Sequence, residues 1–251
     1  MLTAERKRWL LDVLKTEGKL LASDLSKRLG VSEDTVRRDL RELDKAGLLQ
    51  RVHGGALPRS PTSIEYAERE KESAEAKGEI GEAAARLLKP GEVVVIDGGT
   101  TPLAVAERLP ADLALTVVTH SLPAVEVLSA HPSAECVVVG GRLIKRYRAT
   151  VGIAAVDAYR MIRPDACVMG AAGVHPAAGV TIYDGEEAEV KRAMVEHASR
   201  VIVVVAGEKL GTVAPYLLIP ASRITHLVTD PSASPEVMQS LRELGVEIVV
   251  A

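Results

Sequence analysis

Leu21 to Leu57 reads LASDLSKRLGVSEDTVRRDLRELDKAGLLQRVHGGAL. Leu21, Leu25 and Leu29 recur every four residues, Gly30-Val31-Ser32 interrupts them, and Val36, Leu40 and Leu43 resume an apolar stripe at helical spacing. The spacing predicts two short helices meeting at a tight turn. Ser32 is placed to cap the second helix by accepting from its free amides, and Glu33 and Asp34 suit the positive end of its dipole.

Turning Val36, Leu40 and Leu43 inward turns Arg37, Arg38 and Arg41 outward, which leaves a cationic face. A guanidinium fork can read guanine or clamp phosphate, and a two-helix unit of this kind lays its second helix in the major groove of DNA. Beyond it, Gly47 suits a C-cap, Leu48 to Val52 alternates weakly as a strand, and His53-Gly54-Gly55 supplies a turn able to touch the backbone. The order predicts a winged helix-turn-helix with Ser32, Thr35, Arg37, Arg38, Arg41, Arg51 and His53 as candidate DNA contacts. A solvated basic helix in an ordinary bundle is the plainer alternative. The combination of cap, Thr-Val-Arg-Arg and glycine wing argues against it.

Val31-Ser32-Glu33-Asp34-Thr35-Val36-Arg37-Arg38-Asp39-Leu40, followed by Arg51-Val52-His53-Gly54-Gly55-Ala56, resembles the DNA-binding domain of the DeoR family of bacterial transcriptional regulators. The resemblance implies a second domain that senses sugar phosphates and is related to ribose-5-phosphate isomerase and the CoA transferases.

Composition is compatible with two such domains. The chain has 251 residues, 47% of them hydrophobic, which supports a substantial core and excludes general disorder. Residues 1–58 hold twelve Lys or Arg against nine Asp or Glu, and residues 59–251 nineteen against twenty-five, so a net charge of −3 divides into +3 and −6. This asymmetry fits a nucleic-acid contact confined to the head. Cys136 and Cys167 both lie in apolar runs, with no signal peptide and no membrane-length segment, so a reduced, cytoplasmic protein without a structural disulfide is expected. Asparagine is absent and Arg outnumbers Lys, a bias that thermophily and a GC-rich genome would both produce.

Pro58 to Ser63 forms a polar, proline-bearing linker, and Ile64 to Leu88 reads as one or two helices. The expected organisation is a head over 1–57, a linker and connecting helix over 58–77, and an α/β sensor over 78–251. Seven strands are expected at Val93 to Ile96, Leu115 to Thr119, Cys136 to Val139, Ala166 to Met169, Val201 to Val205, His226 to Thr229 and Glu247 to Val250. Amphipathic segments at Pro102 to Arg108, Pro123 to Ser129, Glu187 to Ala198 and Pro235 to Leu244 alternate with them. Continuous apolar strands alternating with helices predict a mostly parallel sheet covered on both faces.

Asp97-Gly98-Gly99-Thr100-Thr101-Pro102 follows a strand and opens a helix, the order that cradles phosphate. Taken alone it is equally a common glycine turn. Thr119-His120-Ser121, Gly140-Gly141-Arg142 and Gly170-Ala171-Ala172-Gly173 also follow strands, so these loops are expected to converge on one crevice. The DeoR resemblance extends through Gly99-Thr100-Thr101, Val118-Thr119, Gly140-Gly141-Arg142, Val151-Gly152 and Glu187-Ala188-Glu189-Val190-Lys191-Arg192. It departs from the family at His120, where the family usually carries Asn.

Lys191 and Lys209 are candidate phosphate partners, and Asp97, Asp184 and Glu187 are candidate acceptors for sugar hydroxyls or plain helix caps. Lys145-Arg146-Tyr147-Arg148 reads as a basic loop, solvated by default. Histidine and cysteine spacings suggest no metal site, no cofactor is implied, and neither Ser121 nor Ser222 sits in a nucleophile elbow. The leading expectation is a ligand-controlled repressor, working on double-stranded DNA as a homodimer or homotetramer. The alternatives are an isomerase-like enzyme carrying a DNA-binding head, disfavoured because Val168 to Gly173 contains no carboxylate, and a constitutive DNA-binding protein with a vestigial pocket.

Overall fold

Residues 2–61 and 65–251 are described by the structure, a computed structural model. The head comprises α1 (Thr3–Glu17), β1 (Leu20–Leu21), α2 (Ala22–Leu29), α3 (Glu33–Lys45), β2 (Gln50–Val52) and β3 (Gly55–Leu57). Leu10, Leu14, Leu25, Val36, Leu40, Leu43 and Leu49 form its core. The second helix begins at its predicted cap, where the Ser32 hydroxyl accepts from the Thr35 amide at 3.2 Å.

Two details differ from the sequence reading. Leu21 is not on the inward stripe of α2: it sits in β1 opposite Gly55, with its side chain 44% exposed. The strand expected from Leu48 starts at Gln50, because Ala46 caps α3 and Gly47, at φ +74°, turns the chain first. The wing packs so tightly against β1 that a Cβ at Gly55 would lie 1.8 Å from the Leu20 carbonyl oxygen, which requires glycine there.

Helix α1, which the apolar pattern beyond Leu21 does not reveal, brings Arg6 against α3. The Arg6 guanidinium grips Asp39 through Nε at 2.5 Å and a second nitrogen at 3.1 Å, with both residues buried.

Thr62, Ser63 and Ile64 of the expected linker lie outside the described residues. Beyond them come α4 (Tyr66–Lys71) and α5 (Ala74–Ala85), so the helical expectation resolves into two helices. The α/β body continues with β4 (Val93–Ile96), α6 (Thr100–Glu107), β5 (Thr116–Thr119), α7 (Leu122–Ser129), β6 (Glu135–Val138), β7 (Arg142–Ile144), β8 (Ala149–Val151), α8 (Ile153–Arg160), β9 (Ala166–Gly170), β10 (Gly173–His175), β11 (Gly179–Ile182), α9 (Gly185–Glu196), β12 (Arg200–Val204), β13 (Tyr216–Ile219), β14 (His226–Thr229), α10 (Pro235–Glu243) and β15 (Glu247–Val250).

All seven predicted strands enter one parallel sheet, in the order β15-β14-β12-β9-β4-β5-β6. The central strands β4, β9 and β12 are almost wholly apolar because both their faces are covered, whereas the edge strands β6 and β15 are largely exposed. Val95, Cys167, Met169, Val201 and Val203 face one core with α8 and α9, whereas Val94, Ile96, Val168, Ile202 and Val204 face another with α5 and α6. The parallel sheet is accompanied by an antiparallel sheet, β10-β11-β13, and by the β7-β8 hairpin. Strand order reverses between β4 and β9: one branch runs to β5 and β6, the other to β12, β14 and β15. Ligands of open α/β sheets bind at such a reversal, outside the carboxyl ends of the strands.

Candidate effector pocket and DNA-binding face

A cleft opens at that reversal, enclosing about 510 Å³ of space that includes open solvent. Its floor comes from the turn after β4, where Gly98 and Gly99 lead into Thr100 and Thr101 at the start of α6. Gly99 adopts φ +153° and ψ 162°, a conformation only glycine takes readily, and offers no side-chain cap. Helix α6 therefore starts without a capping side chain, and its first residues, Thr100 and Thr101, line the cavity. Gly170 at the end of β9 and Ala171 and Ala172 after it also line the cavity, together with Tyr147, Tyr183 and Ile182.

Beneath the floor lies a buried charge cluster. Lys191 Nζ stands 2.7 Å from Asp97 Oδ2, 3.2 Å from Glu187 Oε1 and 3.2 Å from the Gly170 carbonyl. Asp97 also accepts from the Gly170 amide at 2.9 Å, which ties the ends of β4 and β9 together. Burial pushes both carboxyls up. It also works against the Lys191 ammonium, but the attraction of the two carboxylates outweighs that and holds Lys191 above the ordinary lysine range. Lys191 is thus committed to Asp97 and Glu187 and has little charge to spare.

Lys209 differs. It is 5% exposed, lines the cavity, and has no hydrogen-bond or ion-pair partner for its ammonium among the described residues. Burial, followed by repulsion from Arg69, pushes its pKa down. Its backbone is held in a short 3-10 turn, Gly207–Lys209, whose first amide donates to Asp230 Oδ2 at 2.7 Å.

Of the predicted effector residues, the structure brings Gly98, Gly99, Thr100, Thr101, Glu187, Lys191 and Lys209 together around the cavity, with Asp97 directly under it. Thr119, His120, Gly140, Gly141, Gly152 and Asp184 do not line it. The Thr119 hydroxyl donates to the Ile96 carbonyl at 2.7 Å and accepts from the Ser121 amide, so it is spent on the backbone. Gly140 and Gly141 sit exposed between β6 and β7, and Gly152 opens α8. Asp184 caps α9 by accepting from the Glu186 and Glu187 amides and pairs with Arg146 at 2.5 Å. The basic loop contributes Tyr147, not its cations. Sequence reading missed Arg69 of α4, which lines the cavity from the connecting segment. Its Tyr-Ala-Glu-Arg-Glu-Lys context looks like a solvated helix face.

His120 is fully buried behind Gly98. Its Nδ1 shares a proton with the Tyr159 hydroxyl at 2.9 Å, and its Nε2, without a hydrogen bond among the described residues, points toward Asp97 Oδ1 at 4.0 Å. Burial pushes its pKa down to about 4. An unfolded histidine titrates near ~6.5 and takes up a proton that the folded protein refuses until about pH 4, so stability falls as pH drops through this window. Wild type should therefore lose roughly 2 to 3 kcal/mol more than His120→Asn between pH 7 and pH 4.5 in urea titrations. Equal losses would show that the imidazole is accessible to protons in the fold.

On the head, Arg37, Arg38, Arg41, Arg51 and His53 are all exposed, with Thr35 half-buried beside the Ser32 cap. Arg37 folds back on α3 to Glu33 at 2.6 Å and Asp34 at 3.6 Å. Arg38 and Arg41 have no ion-pair partner among the described residues.

A family model described as the DeoR-like helix-turn-helix domain matches residues 6–62, and one described as the DeoR C terminal sensor domain matches residues 72–231. The chain belongs to the DeoR family. Relatives of this DeoR-family chain extend over its whole length. It is 33% identical to the HTH-type transcriptional regulator GlpR of Haloferax volcanii over 99% of this chain and 98% of that protein. It is also 33% identical to the HTH-type transcriptional repressor GlcR of Bacillus subtilis (100% and 97%), and 30% identical to the glycerol-3-phosphate regulon repressor of Escherichia coli (99% and 99%). Among solved structures, ribose 5-phosphate isomerase A of Methanocaldococcus jannaschii aligns over 55% of each chain, with 16% identity and a TM-score of 0.40. Among the described residues no helix is long and apolar enough to cross a membrane.

Proposed function

We propose that this chain is a sequence-specific, DNA-binding transcriptional repressor whose DNA affinity is set by a phosphorylated sugar bound in the cavity between β4 and β9. The observation that carries the reading is Lys209, a residue only 5% exposed whose ammonium has no partner among the described residues, lining a crevice together with the uncapped start of α6. A buried cation without a counter-charge is costly, and a dianionic phosphate supplies one. Glu187, at the other side of the same cavity, accepts sugar hydroxyls. The name of one relative, a glycerol-3-phosphate regulon repressor, supports a small phosphorylated ligand.

In this reading α3 enters the major groove and presents Thr35, Arg38 and Arg41. Ser32 and Arg37 lie at its start, and Arg51 and His53 on the wing track the backbone. Two heads are needed to read repeated half-sites, so the working unit is a homodimer or homotetramer in the cytoplasm. No catalytic role is assigned: Glu187, the carboxylate that lines the cavity, is held by Lys191.

A thermal-shift series on the full-length protein tests the pocket. Glycerol 3-phosphate, ribose 5-phosphate and fructose 6-phosphate are to be compared with the unphosphorylated compounds. A ligand at one hundred times its Kd stabilises the native state by about 2.7 kcal/mol. At least one phosphorylated compound should raise the melting temperature of wild type and leave Lys209→Gln unmoved. If no phosphorylated compound shifts wild type, the pocket is not a sugar-phosphate sensor.

A further inference from the structure

The chain leaves the head along the wing. Strand β3 ends at Leu57, and Arg59, separated from it by Pro58 alone, forms a parallel bridge with Val213 of the α/β body. The Val213 amide donates to the Pro58 carbonyl at 3.0 Å, and the Ser60 amide donates to the Val213 carbonyl at 2.9 Å. Proline fixes φ at the residue between wing and bridge, so the wing has little freedom to move without the bridge.

The bridge is seated on residues of the cavity. Val213 lies just past the turn that carries Lys209, where the Thr212 hydroxyl donates to the Lys209 carbonyl at 2.9 Å. The Ser60 hydroxyl donates to the Ala172 carbonyl at 2.6 Å, and the Tyr183 hydroxyl donates to the Ser60 carbonyl at 2.7 Å. Lys209, Ala172 and Tyr183 all line the cavity.

Arg59 joins this seat to the end of α3. Its guanidinium carbon stands 5.7 Å from the centroid of the Tyr183 ring, within cation–π range. The same guanidinium reaches the turn that terminates the recognition helix: a Cβ on Gly47 would lie 3.6 Å from Arg59 Nη1, and Gly47 follows the C-cap Ala46 at φ +74°. Arg59 is half-buried and has no ion pair among the described residues, so the ring and the turn are what its charge meets.

We infer that Arg59 is the positioning residue through which occupancy of the cavity sets the pose of the recognition helix. The inference rests on the sensor reading above and adds to it the residue that links the two sites. A ligand alters affinity at a distant site only where its own contacts differ between two arrangements of the chain. Tyr183 supplies that difference: a ligand packed on its ring fixes the surface on which Arg59 rests, and Arg59 with its backbone bridge carries the register to Gly47 and β3. A planar guanidinium suits the task because it stacks on a ring while its N–H groups meet a backbone turn, which a lysine ammonium on a flexible stem does not reproduce. A plain packing contact behaves differently, since its loss changes affinity for DNA equally with and without ligand.

The test uses the full-length protein and a duplex that wild type selects from a random library. The ligand is whichever of glycerol 3-phosphate, ribose 5-phosphate and fructose 6-phosphate raises the melting temperature of wild type most. The readout is the ratio of duplex affinities with and without saturating ligand, for wild type, Arg59→Gln and Arg59→Lys, with ligand affinity measured by calorimetry. A ratio of about 5 to 150 in wild type should fall below about 2 in Arg59→Gln, while ligand affinity stays within about threefold. Arg59→Lys keeps the charge and loses the plane, and its ratio should drop to less than about half that of wild type.

A wild-type ratio in Arg59→Gln overturns the assignment. So does a ligand affinity that falls together with the ratio, because Arg59 would then belong to the binding site and not to the link. Ligand binding to wild type without any change in duplex affinity removes the inference and leaves the pocket standing. A melting temperature that none of the three compounds raises removes the sensor reading and the inference with it.

Discussion

Arg38→Ala combined with Arg41→Ala should lower affinity for a specific duplex by at least about a hundredfold. Each side chain is exposed on α3 and has no ion-pair partner among the described residues, so neither must break a contact to meet DNA. A good arginine contact to a base is worth about 1 to 3 kcal/mol, and a dimer uses each arginine twice. The relevant duplex is one selected from a random library by the wild-type protein, and the readout is fluorescence anisotropy across salt concentrations. Where an arginine meets phosphate instead of base, its removal reduces the log-log salt slope by about 0.9 per contact. Arg37→Ala alone should do less, because Glu33 and Asp34 already hold Arg37 on the helix. Affinity of the double variant within threefold of wild type would place the DNA elsewhere on the head.

Asp39→Ala should destabilise the head by about 3 to 5 kcal/mol, enough to abolish DNA binding without any contact to DNA. Asp39 is 0% and Arg6 7% exposed, and the pair is bidentate. Truncating one member strands a full charge in an apolar core beside Leu10, Val36 and Leu40. Removing both is far gentler: Arg6→Met with Asp39→Leu should restore most of the lost stability, because well-packed apolar groups replace a buried pair at little cost. Hydrogen exchange of α1 and α3 distinguishes this from damage to the sensor, whose amides should stay protected. A loss below 1 kcal/mol in Asp39→Ala would mean that water reaches Arg6 in the fold.

The same pair shows where sequence reading stops. Arg37-Arg38-Asp39 reads as surface charge, yet Asp39 shares the inward stripe of Val36, Leu40 and Leu43, and only the position of α1 supplies the partner that makes this tolerable. Strands β4, β14 and β15 were legible to the residue because each is a compact aliphatic or β-branched run, whether buried as in β4 and β14 or at the exposed edge as in β15. Strands β10, β11 and β13 were not, since Gly173-Val174-His175 and Gly179 to Ile182 are short and each opens on a glycine, and β13, which pairs with β11, lies far along the chain from it.

At the site, the glycines and threonines after β4 were readable because a buried strand, a glycine turn and a helix start follow one another in the sequence. What Thr119 does was not readable. A threonine hydroxyl serves a ligand or a carbonyl equally well, and the approach of Ile96 decided it. Arg69 escaped for the opposite reason: nothing in a Glu- and Lys-rich helix indicates which cation turns inward, and Tyr147 from a distant hairpin makes the stack that holds it. Lys191 and Lys209 were both candidates in sequence, Lys191 the weaker because Glu187 and Glu189 stood nearby as salt partners; in the fold Lys191 is neutralised by Glu187 and Asp97, while Lys209 has no ion pair among the described residues.

Direct coupling between the cavity and the recognition helix is the claim on which the rest depends. Its most direct test is the affinity for the selected duplex with and without a saturating sugar phosphate, chosen as one that raises the melting temperature, in wild type and in Lys209→Gln. The account predicts a 5- to 150-fold change in wild type, as for a coupling of about 1 to 3 kcal/mol, and no change in the variant. A sugar phosphate that stabilises the wild-type protein yet leaves its affinity for DNA unaltered would contradict it.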